Sequence, residues 1–187
     1  MKIAILNGSP RKENTAAMVE AFKAGAEEAG NEVCALHVGR MNIGGCLACE
    51  YCHGKGEGQC VQKDDMGQVI DAYKWADMVV FASPIYYSAM TAQMHAAIQR
   101  MYCIGKPAAT KAILLLSTAS GQTDAAEAYF KQLTAFMGME NCGVCKVVGE
   151  ENKTEEKRAE IKAWAATIKE AGAIASPIRC KWEPAER

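Results

Sequence analysis

The sequence predicts an α/β fold in which five parallel strands form a doubly wound sheet with helices on both faces. Five short apolar runs lack polar alternation, which is typical of strands that are buried on both sides. Segments with helical three-four apolar spacing lie between these runs, so that strand and helix alternate along the chain. The predicted strands are residues 3–6, 33–38, 78–82, 112–117 and 143–148.

Five helices are expected between and after these strands. Asp and Thr side chains favour the first position of a helix because their oxygens accept a backbone N–H bond. After Asp64 and Asp65, the apolar side chains of Met66, Val69 and Tyr73 fall on one helical face. The predicted helices begin near Asn14, at Asp64 or Asp65, near Ala92, at Thr123 and at Thr154.

The length and charge of the chain limit its domain count and its partners. A chain of 187 residues without repeats or linkers is expected to form one domain over residues 1–187, with a cysteine-rich loop at 43–63 and an irregular tail at 175–187. Twenty-one basic side chains face twenty-two acidic ones, which favours neither nucleic acid nor a membrane surface as a partner. No apolar run is typical of a membrane span or a signal peptide, so a cytoplasmic location is expected.

The loop "NGSPRKENT" joins the first strand to the first helix. Backbone N–H groups at a helix start favour an anion, and hydroxyl, amide and guanidinium donors reinforce that preference. The loop therefore predicts a phosphate site, although a capped turn with a solvated Arg11 is the alternative. It lacks both the Walker sequence and the three spaced glycines of a dinucleotide turn. The candidate phosphate contacts are Ser9, Arg11, Asn14 and Thr15.

Two further loops follow the third and fourth predicted strands. In "ASPIYYSAMTAQ", Pro84 stiffens the chain beside Tyr86 and Tyr87, whose flat faces suit a planar heteroaromatic ring. Packing of the tyrosines at the base of the loop is the simpler alternative. Small residues in "STASGQ" allow the backbone to approach a ligand closely. In a doubly wound sheet these loops converge with the first at the carboxyl ends of the strands.

Two other classes of protein with this architecture are excluded by the loops. A low-molecular-weight phosphatase requires a nucleophilic cysteine in the first loop, and residues 7–15 contain none. A receiver domain requires carboxylates after the first and third strands, where this chain has Asn7 and Ser83.

Four of the nine cysteines lie in the loop that follows the second strand. Cys46, Cys49 and Cys52 are spaced by two residues, and seven more separate Cys52 from Cys60. This compact spacing favours an iron-sulfur cluster; tetrahedral zinc and free or reversibly oxidised thiols are the alternatives. The other cysteines are expected to be small buried hydrophobes: Cys34, Cys103, Cys142, Cys145 and Cys180.

Three motifs occur in order along the chain: "GSPRKENT", "CLACEYC...CVQKDDM" and "SPIYYSAMTAQMHAAIQR". Together they resemble the NADPH-dependent FMN reductase family of flavodoxin-like proteins, particularly its iron-sulfur flavoprotein branch. The resemblance covers residues 1–149 and implies a three-layer flavodoxin-like fold. It also implies FMN, with NAD(P)H as co-substrate, and a homodimer or homotetramer.

The resemblance further implies roles for individual residues. Ser9, Arg11, Asn14 and Thr15 would hold the FMN phosphate, and Ser117, Ser120 and Gly121 would close the far side. The ring system would lie against Pro84, Ile85, Tyr86 and Tyr87. A 4Fe–4S cluster would take Cys46, Cys49, Cys52 and Cys60, although the branch usually has a shorter final spacing. His95 and Gln99 stand where the family often has Lys and Asp, so a salt bridge at that helix is expected to be absent.

The expected function is an FMN-dependent oxidoreductase that takes hydride from NAD(P)H and reduces a quinone, a flavin or another small-molecule acceptor. No catalytic acid or base is assigned because the flavin carries the chemistry. The first alternative is an electron carrier that pairs FMN with a 4Fe–4S cluster and exchanges electrons with a ferredoxin. The second is a redox sensor that acts through a partner.

Overall fold

The structure is a computed structural model that describes residues 1–169. Cys180 and the expected tail at 175–187 lie outside the described residues. The strands are β1 (Lys2–Asn7), β2 (Glu32–Leu36), β3 (Met78–Tyr86), β4 (Ala89–Met90), β5 (Lys111–Thr118) and β6 (Glu140–Val148). The α-helices are α1 (Asn14–Glu28), α2 (Met66–Trp75), α3 (Ala92–Gln99), α4 (Asp124–Met137) and α5 (Glu155–Ala165).

Five strands form a parallel sheet in the order β2-β1-β3-β5-β6, and the short β4 pairs antiparallel with the end of β3. The chain runs from β1 outward to β2 and then returns to the other side of β1 to form β3. The order therefore reverses at β1, and in such sheets ligands bind beyond the carboxyl ends of the strands at this point. The flavodoxin-like fold and the five parallel strands are confirmed.

Three strands differ from the sequence prediction by two residues or more at one end. β2 ends at Leu36, whereas residues 33–38 were predicted, because its pairing with β1 stops at Leu6 and Val38 enters a 3₁₀ turn. β3 continues past Ala82 to Tyr86, since residues of its polar end pair with β5 and β4. β6 begins at Glu140 instead of residue 143. A bulge where it pairs with β5 interrupts the regular alternation of its side chains, so the sequence pattern does not indicate this earlier start.

The sheet separates two apolar cores through the alternation of side chains along its strands. Ala4 and Leu6 of β1 face the core under α2, α3 and α4, whereas Ile3 and Ile5 face the core under α1 and α5. Phe81 packs edge-to-face on Phe130 in the first core, and Phe22 packs likewise on Trp164 in the second. Both faces are covered, which explains the continuous apolar runs of the central strands.

The helix starts agree with the predicted positions, but their capping differs. Thr154 accepts the backbone N–H of Lys157 at 3.2 Å and caps α5 as predicted. Thr123 precedes α4 and instead donates its hydroxyl to Glu127 at 2.5 Å. Asp65 precedes α2 without capping it, while Asp64 accepts the N–H of Met66 at 3.2 Å.

None of the helices within residues 1–169 has the length and apolar character needed to cross a bilayer.

Candidate functional site

A cavity of about 220 Å³ lies beyond the carboxyl ends of β1, β3, β5 and β6, and is called here the carboxyl-edge cavity. Eight of the eleven residues predicted to bind the cofactor line it. These are Ser9, Arg11, Asn14, Thr15, Pro84, Ile85, Tyr86 and Ser117. The fold thus brings together side chains that are more than 100 residues apart in the sequence.

The β1–α1 loop is folded by hydrogen bonds within its own residues. Asn7 Oδ1 accepts the N–H of Ser9 at 3.0 Å, and Ser9 Oγ accepts the N–H of Arg11 at 3.2 Å. On the other side, His37 Nε2 lies 2.7 Å from the Ser9 carbonyl oxygen. These bonds fix the loop just before α1, where the first backbone N–H groups have no intrahelical acceptor.

Buried polar groups form the floor of the cavity. Thr15 Oγ1 and Ser117 Oγ lie 2.7 Å apart, and one hydroxyl donates to the other. Asn14 Nδ2 donates to the carbonyl oxygen of Gly149 at 3.1 Å, which links the start of α1 to the end of β6. Asn14 Oδ1 is buried and receives no hydrogen bond from the described residues. A buried amide oxygen without a donor is costly, so a ligand hydroxyl at this point would stabilise it.

Charged side chains surround the mouth of the cavity. Arg11 Nη1 lies 3.7 Å from Glu13 Oε2, and both side chains are more than half exposed. Glu150 also lines the cavity and pairs with Lys153, whose hydrogen bond lowers the pKa of the Glu150 carboxyl. Arg11 is the basic side chain that lines the cavity, and its pairing with Glu13 is exposed enough for an incoming phosphate to replace it.

The residues predicted to contact a planar ring do not all face the cavity, because the β3–β4 hairpin turns between Tyr86 and Ala89. Tyr86 pairs with Ala89 and lines the cavity, whereas Tyr87 at the hairpin tip is fully exposed outside it. Tyr87 and Ser88 have φ values of +48° and +66°, a left-handed conformation that turns the tip away from the sheet. Of the four residues predicted to contact the ring, Pro84, Ile85 and Tyr86 line the cavity and Tyr87 does not.

The far side of the cavity also differs from the prediction. Ser120 and Gly121 do not line it, and Thr118 and Ala119 stand there instead. Sequence reasoning also missed Glu13, Gly149 and Glu150. Gly149 follows β6, whose end was not among the three loops predicted to form the site. The order of strands in the sheet places it opposite Asn14.

A larger cleft of about 580 Å³ lies between α1 and the edge strand β2. Its lining includes Lys12, Lys23 and Arg158, with no residue of β3 or β5. The carboxyl-edge cavity is the better candidate because it lies where the strand order reverses and contains buried hydroxyls.

The four clustered cysteines lie around a second, smaller pocket, called here the cysteine pocket. Its lining consists of residues 46–50, Cys52, residues 60–62, Arg100, Tyr102 and Cys103. Ala48 and Glu50 adopt left-handed φ values of 50° and 55°. These residues wrap the loop so that the Ala48 N–H donates to Cys46 Sγ at 3.4 Å. Such strain in non-glycine residues is typical of functional sites.

The thiols suit a soft metal, but they are not arranged around an ion as they stand. Among residues 1–169, no three His, Cys, Asp or Glu side chains are positioned to hold a metal ion. The pocket encloses only about 20 Å³, and Cys46 and Cys49 are exposed, so a cluster would require the thiols to rearrange. The donor chemistry fits thiolate-bound metal, while the spacing of the sulfurs would have to change on binding.

Cys103 is the residue of this pocket that sequence reasoning assigned to the core. It is 5% exposed, as expected of a core residue, yet it lies against the pocket and near Cys52 and Cys60. Burial raises the pKa of Cys103 and also that of Cys52. Cys142 and Cys145 both lie inside β6, so their C-x-x-C spacing is not at a helix start; Cys145 is buried as expected, whereas Cys142 is only partly buried.

A salt bridge that was not predicted from the sequence lies at the end of α3. Arg100 follows α3 and pairs with Asp64, which lies just after the cysteine loop. Burial opposes the charge of the guanidinium, but hydrogen bonding to Asp64 and proximity to Cys60 raise the pKa of Arg100. Burial likewise opposes the charge of Asp64, and the hydrogen bonds from Arg100 and from backbone N–H groups lower its pKa.

Comparisons with known sequences and folds agree with this architecture. A sequence model described as NADPH-dependent FMN reductase matches residues 1–149. An iron-sulfur flavoprotein of Archaeoglobus fulgidus is 41% identical over 106 residues, which is 56% of this chain and 47% of that protein. An iron-sulfur flavoprotein of Methanocaldococcus jannaschii is 38% identical over 104 residues, covering 56% and 52% of the two chains. The chain thus spans about half the length of these relatives.

Solved structures share the fold at low sequence identity. RosB, solved with a bound riboflavin-5'-phosphate derivative, has a TM-score of 0.73 at 14% identity, covering 89% of this chain and 76% of that one. The NAD(P)H:quinone oxidoreductase of Methanothermobacter marburgensis has a TM-score of 0.67 at 20% identity, covering 89% and 96%. With the family match over residues 1–149, which exceeds half of the sequence, the chain belongs to the NADPH-dependent FMN reductase family.

Proposed function

We propose that the protein is an FMN-dependent oxidoreductase that takes hydride from NAD(P)H and passes electrons to a quinone, a flavin or another small-molecule acceptor. The observation that carries the proposal is the convergence of the β1–α1 loop with buried hydroxyls of β5 in one cavity. Family membership supports the class of reaction. FMN supplies the hydride-accepting ring when bound, and the chain supplies its position and surroundings.

The phosphate of FMN would lie at the start of α1. Ser9 and Thr15 offer hydroxyls there, and Arg11 offers a charged donor at the mouth. The first N–H groups of α1 add the favourable end of the helix dipole. The unpartnered Asn14 Oδ1 is an acceptor, so it suits a hydroxyl of the ribityl chain and not the phosphate.

The ring would extend along residues 84–86 toward the open side of the cavity. At about 220 Å³, the carboxyl-edge cavity is smaller than the roughly 300 Å³ or more of most cofactor pockets. This volume suits the phosphate and ribityl groups and leaves the ring partly uncovered. An uncovered ring face is what a nicotinamide requires in order to stack and transfer hydride.

The test is a titration of the apoprotein with FMN, followed by anaerobic addition of NADPH or NADH and then of a quinone. We expect one FMN per chain, bleaching of the flavin by the nicotinamide and reoxidation by the quinone. Riboflavin, which lacks the phosphate, should bind at least about tenfold more weakly, since it forgoes charge-assisted hydrogen bonds. Absence of FMN binding, or equal affinity for riboflavin, would contradict the proposal.

A second candidate is an electron carrier that pairs FMN with a 4Fe–4S cluster. The convergence of Cys46, Cys49, Cys52 and Cys60 on one pocket favours it, as does the iron-sulfur flavoprotein name of the relatives. Helix α3 joins the two sites: its N-cap residue Thr91 donates to the carbonyl oxygen of Gly8 in the β1–α1 loop, and Arg100 follows its last residue. Its eight residues span about 12 Å.

Anaerobic purification distinguishes the two candidates. A carrier should contain about four iron atoms and matching labile sulfide per chain, and should exchange electrons with a reduced ferredoxin faster than with NAD(P)H. Zinc, or no metal, together with rapid NAD(P)H oxidation would support the oxidoreductase without a cluster.

The proposal includes a homodimer or homotetramer in which a second copy covers part of the open ring. The exposed Tyr87 tip is a surface that such a copy could contact. Use of NAD(P)H would place the reaction in the cytoplasm. Sedimentation with and without FMN tests the assembly, and a monomer in both states would contradict this part of the proposal.

A further inference from the structure

Arg100 is a buried cation, and two of its three guanidinium nitrogens donate no hydrogen bond that meets geometric criteria. Its side chain is 1% exposed. One nitrogen, Nη1, donates to Asp64 Oδ2 and lies 3.3 Å from the carbonyl oxygen of Gly44. The other two nitrogens, Nε and Nη2, are buried and have no acceptor at hydrogen-bonding geometry among residues 1–169, although Cys60 lies close enough to the guanidinium to raise its pKa. A buried charged donor without an acceptor is costly, which indicates that an acceptor is missing.

The free donors belong to a side chain that lines the cysteine pocket. Cys46, Cys49, Cys52 and Cys60 line the same pocket as Arg100. Thiol sulfurs accept hydrogen bonds weakly, whereas metal-bound thiolates carry negative charge and accept them well. Four thiolates around a divalent ion or an iron-sulfur cluster would give the pocket a net negative charge that a buried guanidinium offsets.

The guanidinium is held in place independently of the cysteines. Asp64 accepts the N–H of Gly44 at 3.1 Å and the N–H of Met66 at 3.2 Å while it pairs with Arg100. Nearby, Gln62 Nε2 donates to the carbonyl oxygen of Gly45 at 3.0 Å. These bonds tie the two ends of the cysteine loop together beneath Arg100, so its position does not depend on a metal.

From these observations we propose that Arg100 is a positioning residue for the metal-bound cysteine pocket, where the free N–H groups of Nε and Nη2 hydrogen-bond the thiolate sulfurs. The inference rests on the second candidate function, because it requires the four cysteines to hold a metal centre. In this proposal Arg100 strengthens the binding of metal by the pocket and offsets the negative charge of the thiolates. Outer-shell donors of this kind are typically worth about 10- to 100-fold in metal affinity.

The first measurement is the affinity of the anaerobic, reduced protein for Co²⁺, a spectroscopic probe of thiolate ligation. Arg100→Met should weaken Co²⁺ binding by at least about tenfold, and Arg100→Lys should lie between it and the parent. Arg40→Met is the matched control, since it removes the same charge from an exposed residue that does not line the pocket. FMN retention serves as a check of folding in every variant, and Arg100→Lys keeps the test valid if Arg100→Met does not fold.

The second measurement separates an electrostatic role from a purely structural one. After reconstitution with iron and sulfide, Arg100→Met should lower the midpoint potential of the cluster, because a positive charge that stabilises the reduced form has been lost. Asp64→Asn keeps the cation and removes its counter-charge, so it should raise the potential. If Arg100 only held the loop in place, the midpoint potential would shift in the same direction in both variants, or would not shift.

The outcomes distinguish the inference from the functions on which it rests. If the parent protein binds neither Co²⁺ nor a cluster, the metal pocket is overturned together with the role of Arg100, while the FMN oxidoreductase proposal stands on its own titration. If the parent binds metal and Arg100→Met matches it in affinity and potential, the role of Arg100 alone is overturned.

Discussion

The hydroxyl of Thr91 donates to the carbonyl oxygen of Gly8 at 2.7 Å, so the residue that caps α3 also holds the loop after β1. Thr91 Oγ1 also accepts the N–H of Met94 at 3.2 Å. Thr91 is 1% exposed, which keeps water from replacing either bond. One side chain therefore couples the start of α3 to the proposed phosphate site.

Thr91→Val should lower the free energy of unfolding by about 2 kcal/mol, through loss of the cap and an unsatisfied Gly8 carbonyl. It should also weaken FMN binding, because the loop before α1 loses its support. Urea unfolding and flavin fluorescence measure the two effects. Thr134→Val is the control, since Thr134 is a buried threonine of α4 that does not line the cavity. Equal FMN affinity in the two variants would contradict the coupling.

Arg11 and Glu13 should have opposite effects on FMN affinity. Arg11→Ala removes a charge-assisted phosphate contact and should weaken binding by roughly 1.5 to 3 kcal/mol, or at least about tenfold. Glu13→Gln removes the carboxylate that pairs with Arg11 and repels the phosphate, so binding should tighten. Both are measured by flavin titration at low ionic strength. If both variants changed the affinity for FMN in the same direction, the phosphate would not lie beside Arg11 and Glu13.

Gly39 is required by the close approach of two backbone segments. A Cβ at this position would lie 2.1 Å from the carbonyl oxygen of Ser9, which cannot move without disturbing the β1–α1 loop. Gly39→Ala should destabilise the protein by about 1–3 kcal/mol and weaken FMN binding. Gly67→Ala in α2 meets no atom within 4 Å and should stabilise the helix by about 0.5–1 kcal/mol. A harmless Gly39→Ala would contradict the packing described for Ser9.

Tyr86 and Tyr87 should differ in their contribution to the flavin site. Tyr86 lines the carboxyl-edge cavity and Tyr87 does not. Tyr86→Ala should weaken FMN binding by about 1 kcal/mol through lost ring contact, whereas Tyr87→Ala in the monomeric form should bind FMN within twofold of the parent. Flavin titration at low protein concentration measures both. The reverse ranking would show that the ring lies on the outer side of the hairpin.

Glu127 should make stability depend on acid pH. Burial opposes its charge, but the hydrogen bonds from Thr123 and Lys146 outweigh burial and lower the pKa of the Glu127 carboxyl. A lowered folded-state pKa means that its stabilising contribution is present above the unfolded-state value and is lost as the pH falls through the folded-state value. Glu127→Gln should therefore lose less stability than the parent between pH 6 and pH 3 in urea unfolding. An identical loss in both proteins would contradict this contribution.

The cysteine pocket shows where local sequence patterns stopped being informative. The spacing of Cys46, Cys49 and Cys52 indicated one site, and the structure places them with Cys60 around one pocket. Cys103 was assigned to the core because an isolated cysteine in an apolar segment gives no other signal. Its approach to the pocket depends on the 3₁₀ turn after α3, which no periodicity indicates.

The sequence by itself determined the fold class, the order of strands and helices, and the loop after β1 as the place to look for a phosphate. Apolar periodicity and capping residues are local properties, so they can be read without knowing which strands pair. Only the tertiary structure decided that Asn14 meets Gly149, that Thr15 meets Ser117, and that Arg100 pairs with Asp64. Those contacts join segments from 36 to 135 residues apart, and they exist because the order of strands in the sheet brings distant loops to one edge.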